Sequence, residues 1–385
     1  MANENLGNAR QAKNDEFYTQ YADIEKEMDA YLTFNAEAMK DKVVFLPCDD
    51  PEWSNFTKYF AQNFEKCGLK KLISTSYAPD SKPSQLNIQL SLFEQDSPKF
   101  DSKKSRANGR IFTLERDRNN DKKINFDDLD WDYLKGDGDF RSDEVCSLRE
   151  EADIIITNPP FSLFREFLMW ISEARKQFVI IGNMNAITYK EVFPLIMQDQ
   201  MWLGATGNGS DMVFGVPEGA DVKDTDRAKA ERLGYKGSYT RLGNSCWFTS
   251  VDHGRRHEPL KLMTKAENIK FSRHKEVRGI GYQSYDNYDA IEVPFTDAIP
   301  SDHKGVMGVP ISFLSKYNPE QFQIIGMAKR GAGDPALKTK VYTSEDYSNY
   351  SDLNAGPVLM KHEGPVNTYP RILIRHRQEF SEYRA

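Results

Sequence analysis

Three observations predict an α/β fold with a parallel sheet. KVVFLPC (42–48), an amphipathic stretch and KKLISTSY (70–77) read as a strand–helix–strand unit. ADIIIT, FSLFREFLMWISEARK and QFVIIGN repeat that order across 152–183. A chain of 385 residues can also bury a core large enough for a sheet covered by helices.

Taken in order, Ile24, Met28, Tyr31 and Leu32 recur at helical spacing and predict an opening helix within 23–39. After the first strand, Trp53, Phe56, Phe60, Phe64 and Cys67 recur at intervals of 3, 4, 4 and 3, with Pro51 before and Gly68 after, so one helix is expected there. The Ser-, Lys-, Pro- and Asp-rich stretch 78–109 reads as an insertion, broken by the strand-like LNIQLSLF. GRIFTL (109–114) returns to strand character, and WDYLKGDGDFRSDE follows as a turn-rich loop. ITYKEVFPLIMQ reads as helical, and DMVFGV and NSCWFTSV as strands that end the sheet. Beyond His253 the chain becomes Tyr-, Gly- and Pro-rich with basic residues, which predicts a second, smaller domain. The expected division is 1–252, with its insertion at about 78–109, and 253–385.

Composition narrows the class. Hydrophobic residues make up 39% and charged residues 28%, as in soluble globular proteins. No run approaches the ~18 apolar residues of a membrane span. The start MANENLGNARQAKNDEF lacks the apolar stretch of a signal peptide, so a cytoplasmic protein without a membrane partner is expected. Cys48, Cys67, Cys146 and Cys246 are too scattered for a zinc site or a disulfide framework. The net charge of −7 argues against binding nucleic acid by bulk attraction, but residues 253–385 carry 19 Lys+Arg against 16 Asp+Glu. That third is the better one to meet a polyanion. All six histidines lie in it, so chemistry in 1–252 must proceed without imidazole.

Open α/β sheets bind ligands at the carboxyl ends of their strands, and three polar segments fall there. They are Cys48-Asp49-Asp50-Pro51, Gly136-Asp137-Gly138-Asp139-Phe140 and Asn158-Pro159-Pro160-Phe161. None is a Walker loop or a GxGxxG fingerprint, which argues against a nucleoside triphosphate or a nicotinamide. The third suits methyl transfer to an exocyclic amine, whose lone pair is delocalised into its ring. Acceptors at both amine hydrogens favour the pyramidal form in which that lone pair can attack. The Asn158 side-chain oxygen and the Pro159 carbonyl can be those acceptors. Pro159 and Pro160 stiffen the turn by fixing φ, and Phe161 offers a ring for a base to stack on. The plainer alternative is a rigid turn between strand and helix.

The chain resembles the EcoRI-type family of DNA adenine-N6 methyltransferases. The resemblance runs through NDEFYTQYADIE (14–25), CDDPEWSNFTKYFA (48–61), GDGDFRS (136–142), NPPFSLFREF (158–167), ITYKEVF (187–193), YDNYDAI (285–291), GVMGVPISFL (305–314), YNPEQF (317–322) and PRILIR (370–375). It implies a Rossmann-like class I methyltransferase sheet with a smaller C-terminal target-recognition domain, and S-adenosyl-L-methionine as cofactor. It also implies double-stranded DNA as partner, with a cognate restriction endonuclease sharing the site as an option rather than a stable partner. Within it, Asn158, Pro159, Pro160 and Phe161 match the catalytic motif. Glu16, Phe17, Tyr18 and Thr19 match the segment packed on the cofactor's methionine end, Cys48, Asp49, Asp50 and Pro51 the cofactor loop, and Asp139 and Phe140 the pair that receives the cofactor's adenine. Arg278, Tyr285, Asn287, Tyr288, Arg371, Arg375 and Arg377 fall where DNA contacts are expected.

Two departures stand out. The loop after the first strand contains no glycine, and the second strand ends Thr75-Ser76-Tyr77 without a carboxylate for a ribose. Asp49, Asp50 and Asn55 are the substitutes at hand, and they read equally well as helix N-terminal groups. His253 and His257 have the i, i+4 spacing of zinc ligands, but Gly254 lies between them without a third ligand, so no metal is expected. Gly204, Gly207 and Gly209 could cradle an anion or form a loop over the target base. The expected activity is transfer of a methyl group from S-adenosyl-L-methionine to an adenine flipped out of duplex DNA. The alternatives are a methyltransferase of another planar amine or amide, such as an RNA base or protein glutamine, and a non-catalytic DNA-binding protein with a decayed cofactor site.

Overall fold

The computed structural model describes residues 17–52, 54–78, 93–94, 97–206, 212–217, 220, 222–330 and 337–377. They fall into two compact units. The first comprises the chain up to Met184 together with Leu203–His253, and the second Asn185–Trp202 together with the chain from Gly254. Residues 185–202 therefore group with the second unit, whereas 1–252 was expected to be continuous.

The strands of the first unit are β1 (Tyr18–Thr19), β2 (Val43–Leu46), β3 (Lys71–Ser76), β4 (Arg110–Leu114), β5 (Asp130–Tyr133), β6 (Ile154–Thr157), β7 (Gln177–Asn183), β8 (Trp202–Leu203, of which Leu203 belongs to this unit), β9 (Val213–Gly215), β10 (Tyr239–Arg241) and β11 (Ser245–Thr249). Eight of them form one sheet in the order β5-β4-β3-β2-β6-β7-β11-β8. The central four, β3, β2, β6 and β7, are parallel neighbours. β11 is antiparallel to β7, and β4 and β5 add an antiparallel pair on the other side. Val43–Leu46 and Ile154–Thr157 are buried along their whole length, as strands covered on both faces must be. A separate three-stranded sheet runs β1-β9-β10.

The helices depart from expectation where local chemistry intervenes. The opening helix is Tyr21–Phe34, ending before Asn35. The aromatic helix is two pieces, Asn55–Gln62 capped by Ser54 and Phe64–Cys67 closed by Gly68 at φ +64°, with the break at Asn63. Trp53 and most of LNIQLSLF lie outside the described residues. Two elements arise where a loop was expected. Trp131 turns inward and makes Asp130–Tyr133 an edge strand, and Ser142 caps a helix at Asp143–Glu151 that begins with two acidic residues. Downstream of Asn158-Pro159-Pro160, a single 3₁₀ turn leads into the helix Phe164–Glu173. Its first ring packs on β7 at Gly182, where a Cβ would lie 2.3 Å from the Phe164 side chain.

In the second unit, β12 (Ile291–Glu292), β13 (Met307–Pro310), β14 (Phe322–Ala328) and β17 (Arg371–His376) form a four-stranded sheet in the order β12-β13-β17-β14. β15 (Val358–Lys361) and β16 (Gly364–Asn367) form a hairpin. Tyr285, Tyr288, Ala328, Leu359 and Leu373 share one small core.

Candidate active site

Because β3, β2 and β6 are parallel neighbours, the segments that follow them emerge at one edge of the sheet. After β2, Cys48 turns the chain at φ +67°. That is the left-handed conformation a glycine would normally supply, so the glycine-free loop still makes the turn. Asp49 then points inward, 6% exposed, and accepts hydrogen bonds from Ser54 Oγ at 2.6 Å and Thr157 Oγ1 at 2.6 Å. Thr157 Oγ1 also faces the Pro47 carbonyl, at 2.8 Å. One hydroxyl proton cannot serve both acceptors fully, and a proton on Asp49 would relieve the conflict. Burial pushes the Asp49 carboxyl up to about 7, against the opposing effect of the Ser54 and Thr157 hydroxyls. Asp50 accepts from the Glu52 amide at 2.9 Å and lies 3.6 Å from Arg110, whose other partner is the buried Glu94.

Asn158 follows Thr157 directly. Its Nδ2 donates to the Phe17 carbonyl at 2.7 Å. A carbonyl can only accept, so this bond fixes which amide atom is nitrogen and turns Oδ1 the other way. Oδ1 is buried and accepts from no group among the described residues. A buried acceptor left without a donor costs about 1–3 kcal/mol, and such a cost in a native fold calls for an explanation. The Pro160 carbonyl is engaged by the Leu163 amide at 2.9 Å, starting the 3₁₀ turn. No backbone amide among the described residues donates to the Pro159 carbonyl. The motif therefore presents one side-chain and one backbone acceptor.

β1 closes the site from the side. It pairs with β9 through Tyr18–Gly215 and Thr19–Phe214, and Asn55 Nδ2 donates to the Thr19 carbonyl at 2.7 Å. Phe17, Phe161 and Phe214 meet edge to face, with centroids 5.5 Å (Phe17–Phe161), 6.0 Å (Phe17–Phe214) and 6.1 Å (Phe161–Phe214) apart. Phe214 is fully buried, whereas Phe161 and Phe17 keep part of their surface open. Sequence reasoning missed Phe214, which the β1–β9 pairing alone brings to the site.

The third segment is pinned against the end of β3. Gly138 adopts φ +89°, and a Cβ on either Gly109 or Gly138 would lie 2.5 Å from the Ser76 carbonyl, so neither position has room for a side chain. The Asp139 carboxylate is held below its usual range, chiefly by the Arg141 guanidinium against the opposing effect of burial. Phe140 sits elsewhere than expected. Its ring is 1% exposed and packs on Phe167 at 5.1 Å and Trp170 at 5.6 Å, anchoring the loop to the core. Ser76 and Thr19 each bury a hydroxyl oxygen without a partner among the described residues. With Asn158 Oδ1, three orphaned polar atoms lie in the segments around this edge, which fits a site for polar ligands.

The family described as "Adenine-specific methyltransferase EcoRI" matches residues 5–377. The chain belongs to that family. It is 43% identical over 328 residues to the Type II methyltransferase M.EcoRI of Escherichia coli, covering 85% of this chain and 90% of the relative. It is 32% identical over 371 residues to the Type II methyltransferase M.MpnI of Mycoplasma pneumoniae, covering 96% and 97% of the two chains. M.MgeORF184P of Mycoplasma genitalium is 30% identical over 371 residues, covering 96% and 98%. No solved structure matches the chain. Membership in a methyltransferase family implies a methyl donor, and the edge described above is the place in the first unit where segments from three neighbouring strands converge.

The residues expected at DNA divide into two groups in this family member. Tyr285, Asn287 and Tyr288 are buried. Tyr285 donates its hydroxyl proton to Glu292, and Asn287 donates to the Gly356 carbonyl at 3.0 Å and accepts from the Val358 amide at 2.8 Å. Arg371 grips Glu292 with Nε and Nη2, the latter at 2.7 Å. All four are engaged inside the second unit, Tyr285 and Tyr288 in its small core and Asn287 and Arg371 through these hydrogen bonds. Arg278, Arg375 and Arg377 are exposed. Arg278 occupies a tip that sequence reasoning did not single out. Gly279 at φ +78° and Gly281 at φ +90° flank Ile280, which is 68% exposed, and Phe271 nearby in sequence is 61% exposed.

Proposed function

We propose that the protein transfers the methyl group of S-adenosyl-L-methionine to N6 of an adenine flipped out of a specific sequence in duplex DNA. The observation that carries this reading is the Asn158 amide, held by its nitrogen on the Phe17 carbonyl with its oxygen buried and open. The relatives, which are Type II methyltransferases, and the adenine-specific family favour DNA adenine as the acceptor.

The cofactor supplies an activated methyl group on a sulfonium, so no strong base is needed. The chain's own residues do the rest. Asn158 Oδ1 and the Pro159 carbonyl accept the two N6 hydrogens and favour the pyramidal amine over the planar one. Phe161, braced edge-on by Phe17 and Phe214, stacks on the base and fixes its plane. The bound cofactor would supply the methyl carbon that the N6 lone pair takes up, and the proton displaced from the amine would leave to solvent. Phe17–Thr19, Cys48, the Ser76 hydroxyl and Asp139 would hold the cofactor, which the orphaned hydroxyls of Thr19 and Ser76 support. The four parallel strands support a Rossmann-like class I sheet, which the antiparallel β4–β5 pair extends on one side.

We assign target recognition to the second unit. Its segment 270–280 carries Lys270, Arg273, Lys275 and Arg278 together with the exposed Phe271 and Ile280. Basic residues beside a protruding apolar side chain suit phosphate contact and insertion at a base step. No helix among the described residues is long and apolar enough to cross a membrane. The test is incubation with labelled S-adenosyl-L-methionine and duplexes covering all short palindromes. N6-methyladenine in one sequence is expected, and its absence from every duplex would overturn the reading.

A further inference from the structure

The two asparagines that grip the segment Phe17–Thr19 are tied to each other through one buried carboxylate. Starting from the Phe17 carbonyl, Asn158 donates at 2.7 Å. Its neighbour Thr157 donates to Asp49 Oδ2 at 2.6 Å, and Ser54 donates to Asp49 Oδ1 at 2.6 Å. The residue after Ser54 is Asn55, which donates to the Thr19 carbonyl at 2.7 Å. Phe17 and Thr19 are two residues apart on one extended segment, so their carbonyls face the same side. The circuit closes.

We propose that Asp49 is a positioning residue for catalysis: by fixing Thr157 and Ser54 on its two oxygens, it sets the spacing at which Asn158 and Asn55 clamp Phe17–Thr19, and so aims Asn158 Oδ1 at the substrate amine. Its place in the cofactor loop suggests a ligand for the cofactor, and the structure turns it the other way. Both oxygens are spent inside the fold, and its own carbonyl accepts from Thr57 Oγ1 at 3.0 Å and from Ser74 Oγ. Nothing of the residue's polar surface is left to offer a ligand, since the side chain is 6% exposed.

A misplaced acceptor costs rate more than binding, because the amine's pyramidal form is reached only on the way to the transition state. The inference rests on the role proposed above for Asn158, and the test separates the two. Asp49→Asn, Asp49→Ala and Thr157→Val are compared with wild type by kcat at saturating duplex and cofactor. S-adenosyl-L-methionine affinity is read by calorimetry, and folding by thermal melting. Each variant is also built on Asn158→Ala.

Asp49→Ala is expected to lower kcat by at least roughly tenfold and, because the clamped Phe17–Thr19 segment also faces the cofactor, to weaken cofactor affinity by a smaller factor than it lowers kcat. On the Asn158→Ala background the same change should move kcat by less than about twofold, because residues acting through one group are not additive. Thr157→Val, which keeps shape and removes one donor, should lie between and serves if Asp49→Ala does not fold. Multiplicative effects on the two backgrounds, or a loss of cofactor affinity with kcat intact, would overturn the assignment. A wild-type protein that methylates no duplex would instead sink the reading of Asn158 itself.

Discussion

The polar networks around Asp49 and around Glu292 are both buried, yet they end differently. In the second unit Glu292 takes Arg371 and Tyr285 and leaves no acceptor over. In the first unit Asp49 takes Thr157 and Ser54, and the chain of contacts runs on to an Asn158 oxygen with no donor among the described residues. A closed network stabilises a fold, and an open one holds an atom ready for something outside the protein. Residue type does not separate the two cases, since Arg371 and Tyr285 are the kinds of residue that read nucleic acid elsewhere. What separates them is whether the last polar atom has a partner.

The largest effect expected from this difference is on stability. Arg371→Ala leaves the Glu292 carboxylate buried and unpaired, which should cost about 3–5 kcal/mol of unfolding free energy. The shift in denaturant midpoint is the measurement. Replacing Arg371 and Glu292 together by Met and Leu should recover most of that loss. A full-strength Arg371→Ala fold with weakened DNA binding would mean that the network is open after all.

The next effects fall on turnover. Asn158→Ala should leave cofactor and DNA affinity within several-fold while lowering kcat by at least ~10², the order found for one preorganised polar contact to a transition state. An alanine variant turning over near the wild-type rate would remove the orphaned oxygen from the mechanism. Phe161→Ala should cost roughly 1–3 kcal/mol in engagement of the flipped base, read as weaker binding of a duplex carrying a fluorescent adenine analogue at the target. Phe161→Tyr should retain most of it, because the stacking face survives.

Much of the first unit was legible because buried parallel strands announce themselves. KVVFLPC, KKLISTSY, ADIIIT and QFVIIGN are apolar runs with turn residues at both ends, and each contains a strand of the structure. Asp130–Tyr133 was not legible in the same way, because an edge strand with one inward Trp between two Asp residues looks like a loop. In the site, Asn-Pro-Pro-Phe placed its own atoms, since a strand end, two prolines and a helix start leave little freedom. The inward turn of Asp49 and Phe140 could not be read, because a side chain's direction after a strand depends on partners over a hundred residues away in one case, Thr157 for Asp49. The burial of Tyr285, Asn287 and Tyr288 was not legible for a related reason: motif resemblance marks a segment that matters and says nothing of which side chains turn inward.

The smallest effect belongs to Arg278, and it sharpens the contrast most directly. Unlike Arg371 it is exposed, in a tip whose two positive-φ glycines leave Ile280 projecting. An arginine there can neutralise one phosphate and release the associated counterion. Arg278→Ala should therefore leave stability unchanged within about 0.5 kcal/mol, as surface substitutions usually do. The slope of log affinity against log salt should become shallower by roughly 0.9, the contribution of one phosphate on duplex DNA. Specific and unrelated duplexes should weaken alike, because phosphate contacts carry no sequence information. An unchanged slope would place the tip away from the backbone, and a loss confined to the specific duplex would make Arg278 a base reader instead. Because stability and salt slope are independent measurements, Arg371 and Arg278 together test whether burial is the right criterion for dividing the arginines of the second unit.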